Sequence, residues 1–132
     1  MDNIFDLDSM LLELNKKGNS SYFLDVLHNN SFEVGVLRLN PGQKDTQGPH
    51  SEDELYFVME GKGLINILEK NHEIRKGSCI FVPSKTKHYF HGNKERLVVL
   101  YVFNVSKSWF KQFIQKRYLI LNPQTKIGIK HF

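Results

Sequence analysis

Apolar and polar residues change their rhythm three times along this chain. Between Asp6 and Lys17, Met10, Leu11 and Leu14 recur at helical spacing, Asp8 or Ser9 is placed to cap the start, and Gly18 stops the run. From Ser21 the period drops to that of strands. Ser21–His28 and Phe32–Leu39 read as a hairpin around Asn29-Asn30, a pair that tolerates positive φ. Asn40-Pro41-Gly42 ends the second strand, and residues 43–49 form a polar loop. Short strands follow at Glu54–Met59, Leu64–Glu69, His72–Arg75, Ser78–Val82, His88–His91 and Leu97–Asn104. Turns are expected at Gly61, Lys70-Asn71, Gly77, Pro83 and Gly92-Asn93-Lys94. Many short strands with turns every eight to twelve residues predict an all-β sandwich or barrel. After Ser106 the helical period returns through Trp109, Phe110, Phe113 and Ile114, followed by an extended arm. The expected organisation is a helical segment over 1–18, a β-barrel over 19–105 and a helix with extension over 106–132.

A length of 132 residues suits one core. No apolar run reaches the roughly 20 residues of a membrane span, and the acidic first eight residues do not resemble a secretory signal. With Cys79 alone, an internal disulfide is excluded, which fits a cytoplasmic protein. Cys79 itself reads as a small buried hydrophobe.

The net charge of +4 is unevenly placed. All 14 acids precede residue 106, whereas Lys107, Lys111, Lys116, Arg117, Lys126 and Lys130 follow it with no acid among them. The chain lacks the basic and aromatic stripe of single-strand binders, so the tail is read as a solvated or packing face rather than a nucleic-acid site.

Three polar residues stand where a β core does not need them: His50, Glu54 and His88. Four residues on a straight strand span about 13 Å, whereas metal–ligand bonds are near 2 Å. His50 and Glu54 can therefore share one ion only across a turn, for which Ser51-Glu52-Asp53 is suited. Strand alternation then puts Glu54, Tyr56 and Val58 on one face and Leu55, Phe57 and Met59 on the other, and puts Phe90 with His88.

These segments resemble the two motifs of the cupin family. His50-x3-Glu54 and Glu54-x6-Gly61 match the first motif; Gly77-x5-Pro83 and Pro83-x4-His88 match the second. Gly48 stands where the first motif has its first histidine, Lys85 where the second has a glycine, and Gly92, followed by Asn93, where it closes on asparagine. The resemblance implies a jelly-roll-like barrel, commonly a homodimer, with a divalent metal ion at His50, Glu54 and His88. Glu52 or Gln47 is the candidate fourth ligand. Two histidines and one carboxylate form the ligand set of open non-haem iron sites, and they also suit zinc, manganese or nickel. The expected function is a metal-dependent enzyme, a dioxygenase, isomerase or similar, acting on a small organic molecule. Glu52 and Tyr56 are candidates for proton transfer, and Arg38, Tyr56 and Phe90 for the substrate pocket; for Arg38 a buried ion pair is the competing reading. A non-catalytic small-ligand module and a dimeric scaffold are the alternatives.

Overall fold

The computed structural model describes residues 3–105. The expected helix and arm over 106–132 lie outside the described residues. One helix, α1 (Leu7–Lys16), precedes eight strands: β1 (Phe23–His28), β2 (Phe32–Leu39), β3 (Glu54–Glu60), β4 (Lys62–Ile67), β5 (Lys70–Arg75), β6 (Cys79–Val82), β7 (His88–His91) and β8 (Leu97–Asn104). They form a five-stranded sheet in the order β1-β2-β8-β3-β6 and a three-stranded sheet in the order β5-β4-β7, with every pairing antiparallel. No described helix is long and apolar enough to cross a membrane.

The core fills the space between the sheets because each strand sends alternate residues inward. Leu37, Leu39, Tyr56, Val58, Leu97, Val99 and Tyr101 of the larger sheet meet Ile65, Ile74 and Phe90 of the smaller one. The intervening residues Val36 and Val98 face the opposite way, where α1 covers them with Met10, Leu11 and Leu14. Burying each such side chain is worth about 1.5–3 kcal/mol. Beyond the helix the outer face is less covered: Leu55 and Phe81 remain exposed. Cys79 is exposed too, contrary to its buried reading, because β6 is an edge strand and Cys79 pairs with outward-facing Phe57.

Asp6, rather than Asp8 or Ser9, caps α1. It is extended at φ −96°, ψ 126°, and its carboxylate accepts the Ser9 N–H at 3.1 Å. The β4–β5 turn falls at Leu68-Glu69 rather than at Lys70-Asn71. Both turn residues take positive φ (49° and 68°), and Asn66 secures them by accepting the Glu69 N–H at 3.1 Å. Gly61, at φ 83°, has to be glycine: a Cβ there would lie 2.3 Å from the Arg96 carbonyl oxygen.

Candidate metal centre

Three backbone segments build the site. Glu54 opens β3, His88 opens β7, and His50 lies in the loop before β3. The loop is held against the Pro83 turn by two bonds: the Lys85 N–H donates to the His50 carbonyl at 2.6 Å, and the Ser84 N–H to the Asp53 carboxylate at 2.8 Å. Lys85 makes its bond from a left-handed φ of 60°, the conformation for which the family motif carries glycine. The chain therefore turns between His50 and Glu54, as their spacing requires.

The imidazole nitrogens and carboxylate oxygens of His50, Glu54 and His88 lie within 4.8 Å of one another. Glu54 Oε1 is 3.3 Å from His88 Nε2 and 3.6 Å from His50 Nε2. Glu54 is 2% exposed, yet its Oε1 has no hydrogen-bond partner. A buried carboxylate oxygen without a bonded proton, between two imidazole nitrogens, is costly unless a cation joins them. The donor set thus fits a divalent ion. His88 Nδ1 lies 2.7 Å from the Thr86 carbonyl. A carbonyl only accepts, so Nδ1 carries a proton and Nε2 is the nitrogen turned to Glu54, the arrangement that orients metal-binding histidines.

Two oxygens join this cluster. Tyr56 Oη donates to Glu54 Oε2 at 2.6 Å and lies 2.8 Å from His88 Nε2. Burial, and then the Glu54 charge, push its pKa far above the ordinary tyrosine value, so Tyr56 holds its proton. Gln47 Oε1 lies 3.1 Å from Tyr56 Oη and 3.3 Å from His50 Nε2. Of the two candidate fourth ligands, Gln47 is the one placed beside the cluster, whereas the Glu52 carboxylate accepts from the Ser51 hydroxyl at 2.6 Å.

Sequence reasoning passed over Asp45, which sets Gln47. Asp45 Oδ2 accepts the Gln47 Nε2–H at 2.7 Å and the Phe90 N–H at 2.9 Å, and Oδ1 accepts from Tyr22 Oη at 3.2 Å. With its amide nitrogen so held, Gln47 turns its oxygen to the site. Local spacing does not mark Asp45, because apart from Gln47 its side-chain partners named above are distant in sequence: Phe90 on β7 and Tyr22 just before β1.

A cavity of about 720 Å³ opens onto His50, Glu54, Tyr56, Gln47 and Glu52. Phe90, expected in the pocket, packs edge-on to Tyr56 in the core, with ring centroids 5.0 Å apart. Arg38 was expected to point into the barrel, but it lies on the other face. It pairs in register with Val98 and donates to the Asn15 side chain on α1 and to the Ser21 carbonyl at 2.9 Å. Among the described residues it has no carboxylate partner. Burial, then Arg96, lower its pKa. His91 lies apart from the cluster, bonded to Asn71 at 2.8 Å, and His28 bonds Glu33 at 2.9 Å.

His88 is raised in pKa. Burial opposes its charge, but the Glu54 carboxylate and the Thr86 carbonyl outweigh burial. A raised folded value means that its stabilisation is complete below the unfolded value near pH 6.5 and is lost as pH rises through the folded value. Urea unfolding of the chelator-treated protein between pH 5.5 and 9 should show stability falling with pH. The corresponding fall should be absent from His88→Gln. A wild-type curve parallel to that of the variant would contradict this assignment.

The double-sheet barrel, with a polar histidine and carboxylate pocket between its sheets, defines a class of small β-barrel domains built around a ligand or metal cavity. The family model of the cupin domain matches residues 35–103, just over half of the chain, and the chain belongs to that family. It is 36% identical over 104 residues to the uncharacterized protein SCO3923 of Streptomyces coelicolor, a match covering 79% of this chain and 97% of that one. It is 41% identical over 69 residues to an acireductone dioxygenase of Alcanivorax borkumensis, covering 48% of this chain but only 38% of that enzyme. The fold is shared with the crystal structure of TT1209 from Thermus thermophilus, at a TM-score of 0.64 and 19% identity, over 78% of this chain and 97% of that one.

Proposed function

We propose that the chain is a metal-dependent enzyme acting on a small organic molecule in the 720 Å³ cavity, with the ion held by His50, Glu54 and His88 and by Gln47 as a fourth donor. The observation that carries this reading is the buried, unpartnered Glu54 Oε1 between two imidazole nitrogens. When bound, a divalent ion supplies Lewis acidity, or a site for oxygen, at an open coordination position. The protein's own groups do the rest. Tyr56 keeps its proton at Oη and donates it in a hydrogen bond to Glu54 Oε2, which holds the carboxylate in place so that its other oxygen faces the cluster. Glu52, on the cavity wall, accepts a proton. His50 is stacked on Phe103 with ring centroids 5.1 Å apart, a contact that restricts the orientation of its ring. The partial likeness to an acireductone dioxygenase supports an oxygen-dependent reaction as the first to test.

Metal analysis tests the reading. Protein expressed in medium supplemented with iron, manganese, nickel and zinc is expected to hold close to one ion per chain, and His50→Ala and His88→Ala to hold almost none. Wild-type protein free of metal after that treatment would reject it.

A further inference from the structure

The cavity extends well past the metal end, and its composition is one-sided. Asp25, Glu33, Glu52 and Glu54 line it, and no lysine or arginine does among the described residues. The carboxylate of Glu54 is buried and aimed into it with an unpartnered oxygen. An ion at His50, Glu54 and His88 accounts for Glu54 only. Asp25 and Glu33 lie at the opposite end, on β1 and β2.

A row of rings joins the two ends. His50 stacks on Phe103 with centroids 5.1 Å apart and planes 23° apart; Phe103 stacks on Tyr101 at 5.4 Å and 14°. Tyr101 Oη then donates to Asp25. Gly35 makes room for this ring: a Cβ there would lie 2.2 Å from Tyr101 Oη. The wall therefore runs from a metal-site histidine to a carboxylate about two ring spacings away, and Tyr22 and Phe23 complete it. The carboxylates favour a cation over an anion, and the apolar rings beside them tolerate a poorly hydrated organic head.

We propose that the cavity takes an elongated small molecule with an oxygen donor at one end, directed to the metal site, and a cationic head at the other, held by Asp25, Glu33 and the adjoining aromatic rings. The metal-end assignment rests on the function proposed above; the cationic end rests on the cavity alone. Glu33 accepts from the His28 ring at 2.9 Å, its side chain is 21% exposed, and both residues line the cavity.

The test uses the full chain and two probes that differ only in the charge of the head: 5-(trimethylammonio)pentanoate and its carbon isostere 6,6-dimethylheptanoate. Isothermal titration is run with metal-loaded and with chelator-treated protein. The cationic probe is expected to bind at least tenfold more tightly than the isostere. This preference should shrink at high salt and fall several-fold in Glu33→Gln and Asp25→Asn, each checked for an unchanged circular dichroism spectrum. Because the probes share their carboxylate, the head preference is read from the ratio of their two affinities, and metal analysis of the same samples reports failure of the metal reading separately. Equal affinity, preference for the isostere, or binding of neither probe would overturn the proposal.

Discussion

Glu54→Gln will make the metal-free protein more stable at alkaline pH while weakening metal binding on the order of 100-fold or more. The two effects have one cause. Glu54 is 2% exposed, with one oxygen satisfied by Tyr56 and the other unpartnered. Where both histidines are neutral, this is a buried anion without a counter-charge, which costs several kcal/mol in a protein interior. Glutamine keeps the shape and an oxygen for Tyr56. Its amide nitrogen donates to His88 Nε2, which lies 3.3 Å from Oε1 in the native site. A gain of about 1 kcal/mol follows at pH 9. The loss of affinity follows from removing the only charged donor: opposite charges near 2 Å interact strongly even at an effective dielectric constant near 20. Urea unfolding and competition with a chromophoric chelator read the two quantities separately. If the variant is less stable than wild type at pH 9, Glu54 is an ordinary core partner of Tyr56. If affinity is unchanged, the ion, if any, sits elsewhere.

Such opposed effects are what distinguish a site from a core, and they explain how much of this molecule was readable from its sequence. The bounds expected for β2, β7 and β8 match those in the structure, because each is a short run rich in apolar and aromatic residues set between turn residues. The spacing of His50 and Glu54 forced a turn, and the structure has one. Faces were harder. Arg38 shares its strand with Val36 at a spacing of two, but alternation fixes only which residues share a face, not which face is inside. Both faces of β2 are apolar, because α1 covers the outer one. Had the apolar stripe of α1 been matched to Val36 and Val98, Arg38 would have been placed under the helix. The turn between β4 and β5 was misplaced by two residues because Leu68 and Glu69 have no intrinsic preference for positive φ; the Asn66 side chain imposes it. The supporting bonds of the site were illegible for a related reason. Asp45 bonds to Phe90, 45 positions away, and a single sequence carries no trace of such a contact.

Asp45 also carries the second large effect. Asp45→Ala is expected to lower stability by about 2–4 kcal/mol and metal affinity about 10–100-fold. The stability term follows from stranded donors. The Phe90 N–H, the Gln47 amide and Tyr22 Oη all lose their acceptor, and bonds to a charged group are worth about 1.5–3 kcal/mol each before water replaces some of them. The affinity term follows from geometry. Without Asp45 the Gln47 amide is free to rotate, and its nitrogen, which cannot ligate a cation, can face the site as readily as its oxygen. Groups that orient metal ligands typically contribute 10–100-fold when removed. The two terms separate in Gln47→Leu, which keeps Asp45 bonded to Phe90 and Tyr22. That variant should lose affinity to a similar degree with little loss of stability, and the absorption of its cobalt form should shift as an oxygen donor is removed. Chemical denaturation gives the first quantity, and cobalt titration gives the second. Full affinity in both variants would leave His50, Glu54 and His88 as the complete protein ligand set and make Asp45 a clamp for the fold alone. A loss in Asp45→Ala but not in Gln47→Leu would mean that Asp45 acts through the position of β7, and hence of His88, rather than through the glutamine.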